Sequence, residues 1–329
     1  MKLIKYNLLF VLIFFYSISA NAIERILDDK WCTGKKIHAF AGGPEGDAFA
    51  AIVAAGMENA FKHTGADGNI IYSGWDTNKM LQSVRESISM GVDGISVMGF
   101  AGPDAMMPIA KMAHDAGVLM NYMVVDVPDV RAKYGGGYVG ADLGKQGYAL
   151  GEEAIKQFDF KAGDKAIVFV LTGDYSRAIR EDMVRIAFED HGMEVVVIDA
   201  ITLGVADPNT LIPTISAALA AHPDTKVIVH PGGQQLGNAE AYAKAAGYGP
   251  NEIYQIGFDT SAQVMSGFVN GYAHLTADQQ PFQEGYLPIL SLCQRAVLGL
   301  AAISQDTGAG YVDLSNYKAT IDLANAGLR

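Results

Sequence analysis

The chain has 329 residues, half of them hydrophobic, and a formal net charge of −12. That length and apolar content suffice for two domains with cores of ordinary size and exclude an intrinsically disordered chain. The acidic balance disfavours nucleic acid and anionic membrane surfaces as partners.

At the start of the chain, Lys2 and Lys5 precede the apolar run Leu8 to Tyr16 and the small-residue site Ala20-Asn21-Ala22. This order is that of a secretory signal peptide over residues 1–22, cleaved after Ala22. Nine apolar residues fall short of the roughly 20 that a membrane-spanning helix needs. Cleavage removes two lysines and no acid, leaving 307 residues at −14. The expectation is a soluble exported protein. Cys32 and Cys293 are the two cysteines left in an oxidising compartment, too few for a disulfide framework. Pairing is one option; Cys293, in a helical apolar run, also reads as a small buried hydrophobe.

Short β-branched or apolar runs then alternate with longer helical patterns: "KIHAF", "NIIYSG", "GISVMG", "VLMNYMVV" and "GGYVG", followed by "KAIVFVLT", "MEVVVID", "KVIVHPG", "EIYQIGFD" and "AHLTADQ". Such alternation is the signature of parallel sheets covered by helices on both faces. Asp76 ahead of "TNKMLQSV", Asp207 ahead of Pro208, and Asp259-Thr260 ahead of "SAQVMSGF" supply helix starts. Gly91 closes a helix in the left-handed conformation. About ten strands exceed one sheet of typical size, and a second half begins near Gly140-Ala141-Asp142. The fold class is α/β, with two doubly wound parallel-sheet domains whose strand ends can face each other across a cleft.

Enzyme signatures are absent. There is no Gly-x-Ser-x-Gly, no P-loop and no His-Glu-x-x-His, so neither a catalytic residue nor a metal or cofactor is assigned. His230, at a strand end, has no evident nucleophile beside it and reads as a polar lining group. The glycine-rich stretch "AGGPEGDAFA", Ala41 to Ala50, fails as a dinucleotide loop. Ala41 replaces the tight-turn glycine, Pro44 removes a donor, and Glu45 repels phosphate.

The residues after the strands are Asp47, Phe49, Trp75, Asn121, Tyr122, Arg180, Gln234, Asp259 and Gln279. Flat aromatics alternate there with hydrogen-bonding groups. That mixture suits a polyhydroxylated ring, whose C–H faces lie on aromatics while its hydroxyls meet carboxylates, amides and guanidinium. Hydrogen bonds to ions are worth roughly 1.5–3 kcal/mol, against about 1 for neutral pairs, so a few such groups suffice.

With these residues in view, the chain resembles the periplasmic substrate-binding proteins of ABC importers, of the ribose, galactose and autoinducer-2 type. The resemblance rests on the leader, "GVDGISV", "GFD" and "TADQQPFQEGYLPI". It implies a type I periplasmic binding protein fold with a hinge of three crossings, near Gly140 to Asp142, Gln279 to Pro281 and Gly310 to Asp313. The lobes would be 35–141 plus 280–309 and 142–279 plus 310–329. It also implies a sugar or polyol ligand, an inner-membrane ABC permease as partner, a chemoreceptor as a further partner, and a monomer. Asp47 and Phe49 match the family's first-strand loop, Asp259 its hydroxyl-binding aspartate, Arg180 its arginine and Gln279 its hinge glutamine. Ala50 stands where ribose-type members carry a second aromatic, so one stacking face is either missing or supplied by Trp75. An exported sugar-acting α/β enzyme and a chemoreceptor-linked sugar sensor are the alternatives.

Overall fold

A computed structural model describes residues 30–171, 175–199, 207–308 and 310–329, with the side chains of 175–177 left aside; the expected signal peptide lies outside this range. The first half alternates β1 (Lys36–Gly42), α1 (Ala48–Thr64), β2 (Asp67–Tyr72), α2 (Thr77–Ser89), β3 (Gly94–Met98), α3 (Gly102–Asp115), β4 (Leu119–Met123), α4 (Pro128–Tyr134) and β5 (Tyr138–Gly140). The second half continues with α5 (Leu143–Phe158), β6 (Lys165–Val170), α6 (Tyr175–Asp190), β7 (Glu194–Asp199), α7 (Ile212–Ala221), β8 (Thr225–Val229), α8 (Gly233–Gly237), α9 (Ala239–Ala245), β9 (Tyr254–Phe258), α10 (Ala262–Val269) and β10 (Leu275–Asp278). The chain closes with α11 (Pro281–Leu298), β11 (Gln305–Asp306), β12 (Gly310–Asp313) and α12 (Ile321–Asn325).

Two six-stranded sheets result, in the orders β11-β5-β4-β3-β1-β2 and β12-β10-β9-β8-β6-β7. Among the described residues every pairing is parallel except β10 with β12. All ten expected strands are present; β11 and β12 are too short to leave a period in the sequence. Each sheet is covered on both faces. In the first, Phe40, Val84, Ile95 and Ile109 pack on one side, and Ile37, Val53, Met57 and Leu292 on the other. In the second, Val168, Val184 and Ile256 form one core, and Ile167, Ile215 and Tyr242 the other.

Helices α1 and α11 approach so closely that a Cβ on Gly56 would lie 2.1 Å from the Phe282 carbonyl oxygen, and one on Gly285 2.0 Å from that of Val53. Helix α11 also carries one end of the disulfide Cys32–Cys293, with Cα atoms 5.6 Å apart. Of the two options open for Cys293, burial and pairing coincide, because α11 brings it against the segment that precedes β1.

The chain passes between the sheets three times, and these passages are braced together. Tyr138 donates its hydroxyl to the carbonyls of Val124 and Ala141 at 3.1 and 2.8 Å. Asp306 accepts from the backbone N–H groups of Asp142 and Gly308. Gln280 donates to Thr307 O at 2.8 Å, and its own φ of 58° marks the turn into α11. No described helix is long and apolar enough to cross a membrane.

Candidate functional site

The carboxyl edge of the first sheet builds an aromatic wall. After β1 the chain turns through Gly42 (φ 86°) and reaches Asp47, which caps α1 by accepting from the N–H groups of Phe49 and Ala50 at 3.0 and 2.9 Å. Trp75 follows β2 with φ 61° and donates its indole N–H to Asp47 Oδ2 at 3.3 Å. Its ring covers the β1 turn: a Cβ on Gly42 would sit 2.7 Å from it, and one on Gly43 2.9 Å. Phe49 and Phe100 flank this indole with centroids at 6.0 and 6.1 Å. Ala50 is fully buried beneath Gly43, and the Trp75 ring reaches the same turn from the neighbouring strand.

The facing edge of the second sheet supplies polar groups. Asp259, just past β9 with φ 68°, accepts from Gln279 at 2.5 Å, from the Gly233 N–H at 3.3 Å and from Arg180 at 3.5 Å. Arg180 also donates to Pro231 O at 2.7 Å, and its guanidinium lies 4.2 Å over the Phe258 ring. Cation–ring and charge-assisted contacts of this kind hold a buried cation in place. Asp259 is not the cap of the helix after it; Ser261 caps α10 by accepting from Val264 N. The two edges meet where Gln234, in the first turn of α8, donates to Asp47 Oδ2.

Burial raises the Asp47 carboxyl above the ordinary aspartate range, offset in part by the Ala50, Trp75 and Phe49 donors. With Gln234, these donors place two hydrogen bonds on each oxygen of the buried carboxylate.

Seven of the nine expected residues therefore converge: Asp47, Phe49 and Trp75 on one side, Arg180, Gln234, Asp259 and Gln279 on the other. Asn121 and Tyr122 do not. Asn121 lies inside β4, fully buried, where its Oδ1 accepts from Gly137 N and from the Ser291 hydroxyl of α11. Tyr122 faces the opposite core beside Phe40 and Val130. The apolar run "VLMNYMVV" hides its end; the strand stops at Met123, and the residues beyond it are Val124, with φ 66°, Val125 and Asp126, the last held by Arg131 through two contacts at 2.7 Å. His230 is likewise structural rather than lining: it stacks on Phe169 and Tyr242 and donates to Gln255 at 2.9 Å. Phe100 was missed, although it follows the third apolar run in "GISVMGF" just as Trp75 follows the second. Among the described residues no group of three histidine, cysteine or acidic side chains is placed to hold a metal ion.

The chain is 27% identical over 258 residues to the xylose/arabinose-binding protein of Sulfolobus acidocaldarius, a match covering 73% of this chain and 61% of that protein. It is also 27% identical over 212 residues to the D-ribose/D-allose-binding protein of Pseudomonas aeruginosa, covering 62% and 63%. The matched region thus spans under two thirds of these curated relatives. The fold is shared with a carbohydrate transporter of Acidothermus cellulolyticus solved with myo-inositol (TM-score 0.74, 23% identity, 90% of this chain and 99% of that one). A solute-binding protein of Actinobacillus succinogenes solved with D-allose is similar in the same way (TM-score 0.76, 18% identity, 87% and 99%). The profile of a family described as a periplasmic binding protein domain matches residues 39–298, and the chain, with its two parallel-sheet lobes, belongs to that family.

Proposed function

We propose that this protein is an exported periplasmic receptor that binds a neutral monosaccharide, polyol or related polyhydroxylated ligand between its lobes and delivers it to an ABC importer permease. The observation that carries this reading is the convergence of an aromatic wall, Phe49, Trp75 and Phe100, with the carboxylates Asp47 and Asp259 from opposite sheets. Carboxylates accept from hydroxyls and repel anions, so sugar acids and phosphosugars are disfavoured. Arg180 is engaged by Asp259, Pro231 and Phe258 and acts as the support of Asp259.

The lobes, 35–141 with 280–309 and 142–279 with 310–329, close on the ligand, and closure is the mechanism: ligand contacts from both sides favour the shut state. The relatives named for xylose, arabinose, ribose and allose, and the neighbour solved with myo-inositol, make pentoses, hexoses and inositols the first compounds to try. A thermal-shift screen over pentoses, hexoses, polyols and inositols tests the class. Stabilisation by amino acids or nucleosides alone overturns it.

A further inference from the structure

Glu284 stands in the first turn of α11, directly after the second passage between the lobes, and is fully buried. Among the described residues no hydrogen bond reaches either of its carboxyl oxygens. The N–H of Ala141, in the first passage, lies close enough to favour the ionised form a little, but outside hydrogen-bond geometry.

The charged and titratable groups around it come from both lobes. Asp259 after β9, Asp278 at the end of β10 and Arg180 on α6 act on it from the second sheet, and Tyr138 on β5 from its own. Asp278 is in turn paired with Arg329. Burial, reinforced by Asp259 and Asp278 and opposed by Arg180, pushes the Glu284 carboxyl well above the usual range. An ionised carboxylate with no donor in such a place costs several kcal/mol, and a neutral acid avoids that cost.

We propose that Glu284 is a proton-linked hinge residue: it is held as the neutral acid when the lobes are shut, and it releases its proton to water as they part. The distance from Glu284 to Asp259 and Arg180 is set by the angle between the lobes, because the first belongs to α11 and the others to the second sheet. Closure brings the acid against a second carboxylate and away from water; opening reverses both. The shut state therefore binds one more proton than the open state. By linkage, ligand affinity falls by up to about tenfold per pH unit above the open-state pKa of Glu284.

The ligand consequence rests on the receptor reading; the hinge consequence does not, and two measurements separate them. In the first, probes at Asn78→Cys and Lys244→Cys, one exposed site per lobe, report the interlobe distance between pH 5 and 9 without ligand. The wild type shifts to longer distances as pH rises, while Glu284→Gln and Glu284→Met stay at the short distance throughout. Asp278→Asn, which removes one of the two carboxylates acting on Glu284, keeps the response but moves it to lower pH. A wild-type distance independent of pH, or a response unchanged in both Glu284 variants, overturns the proposal. In the second, calorimetry with myo-inositol and with D-allose in buffers of different ionisation heat counts protons taken up on binding. Uptake is expected in the wild type and lost in Glu284→Gln. Binding without uptake overturns the proposal, whereas no binding of either compound counts against the ligand class and leaves the distance measurement to decide the hinge.

Discussion

Trp75 donates its indole N–H to Asp47 at 3.3 Å, and the same carboxylate caps α1. One residue thus joins the helix start, the aromatic wall and the candidate ligand contact. Asp47→Asn retains the capping oxygen but sets an amide NH2 against the Trp75 and Gln234 donors, so it lowers the melting temperature modestly and weakens binding about tenfold or more, the scale of one charge-assisted hydrogen bond. Asp47→Ala in addition costs about 0.5–2 kcal/mol of stability through the lost cap. The double change Asp47→Ala with Phe49→Ala abolishes ligand-induced stabilisation. Titration calorimetry with unfolding in urea separates these effects, and a double variant that still binds would place the ligand elsewhere.

Gly42 and Gly43 lie beneath the indole. A Cβ at Gly42 meets the Met98 sulfur at 2.6 Å and Trp75 at 2.7 Å, and its φ of 86° is unfavourable for any other residue. Gly42→Ala is expected to cost about 1–3 kcal/mol and to displace the indole. Trp31 and Trp75 are the two tryptophans of the chain, so intrinsic fluorescence in a Trp31→Phe background follows Trp75 alone. An unshifted spectrum and an unchanged unfolding midpoint would contradict this packing account.

Burial lowers His230 and His274 to about 4 each, from an ordinary value of 6.5. Between those values the unfolded chain binds protons that the folded chain refuses. Their contribution is therefore complete above pH 6.5 and lost as pH falls towards 4, by about 3 kcal/mol for each histidine. Buried acids such as Glu284 work in the opposite sense, losing stability as pH rises. The histidine effect is best read as the difference between the wild type and His274→Asn at pH 7 and pH 4.5. That difference shrinks at the lower pH; a constant difference would refute the assignment.

The disulfide Cys32–Cys293 spans 261 positions of sequence. A closed loop of this size restricts the unfolded chain, and its loss by reduction or by the paired Cys→Ser change is expected to cost about 2–5 kcal/mol. Unfolding with and without a thiol reductant measures it, and equal midpoints would show that the bond does not contribute.

The order of the strands was legible because a buried parallel strand writes a continuous apolar run, and Asp47, Trp75, Asp259 and Gln279 were legible because each stands just past the end of one such run. The same rule failed at Asn121 and Tyr122, where the apolar run outlasts the strand and a hydrogen-bonded core asparagine looks like a lining group. It failed at Asp259-Thr260 in a smaller way, since three adjacent residues could cap α10 and only geometry selects Ser261. Glu284 left no trace in the sequence: a glutamate in the first turn of a helix normally faces water and favours the helix dipole. Its burial depends on how the passages between the sheets stack, which no local pattern encodes.

Because Asp306 ties the third passage to the first and Gln280 ties the second to the third, while Tyr138 anchors the first, the connection behaves as one plate rather than three strings. A door hung on three aligned pins swings but neither sags nor slides. Shear and torsion of one lobe against the other would have to break these bonds, whereas rotation about their common line need not. Under the proposed closure the lips of the cleft return to a single register, the one in which Gln234 donates to Asp47.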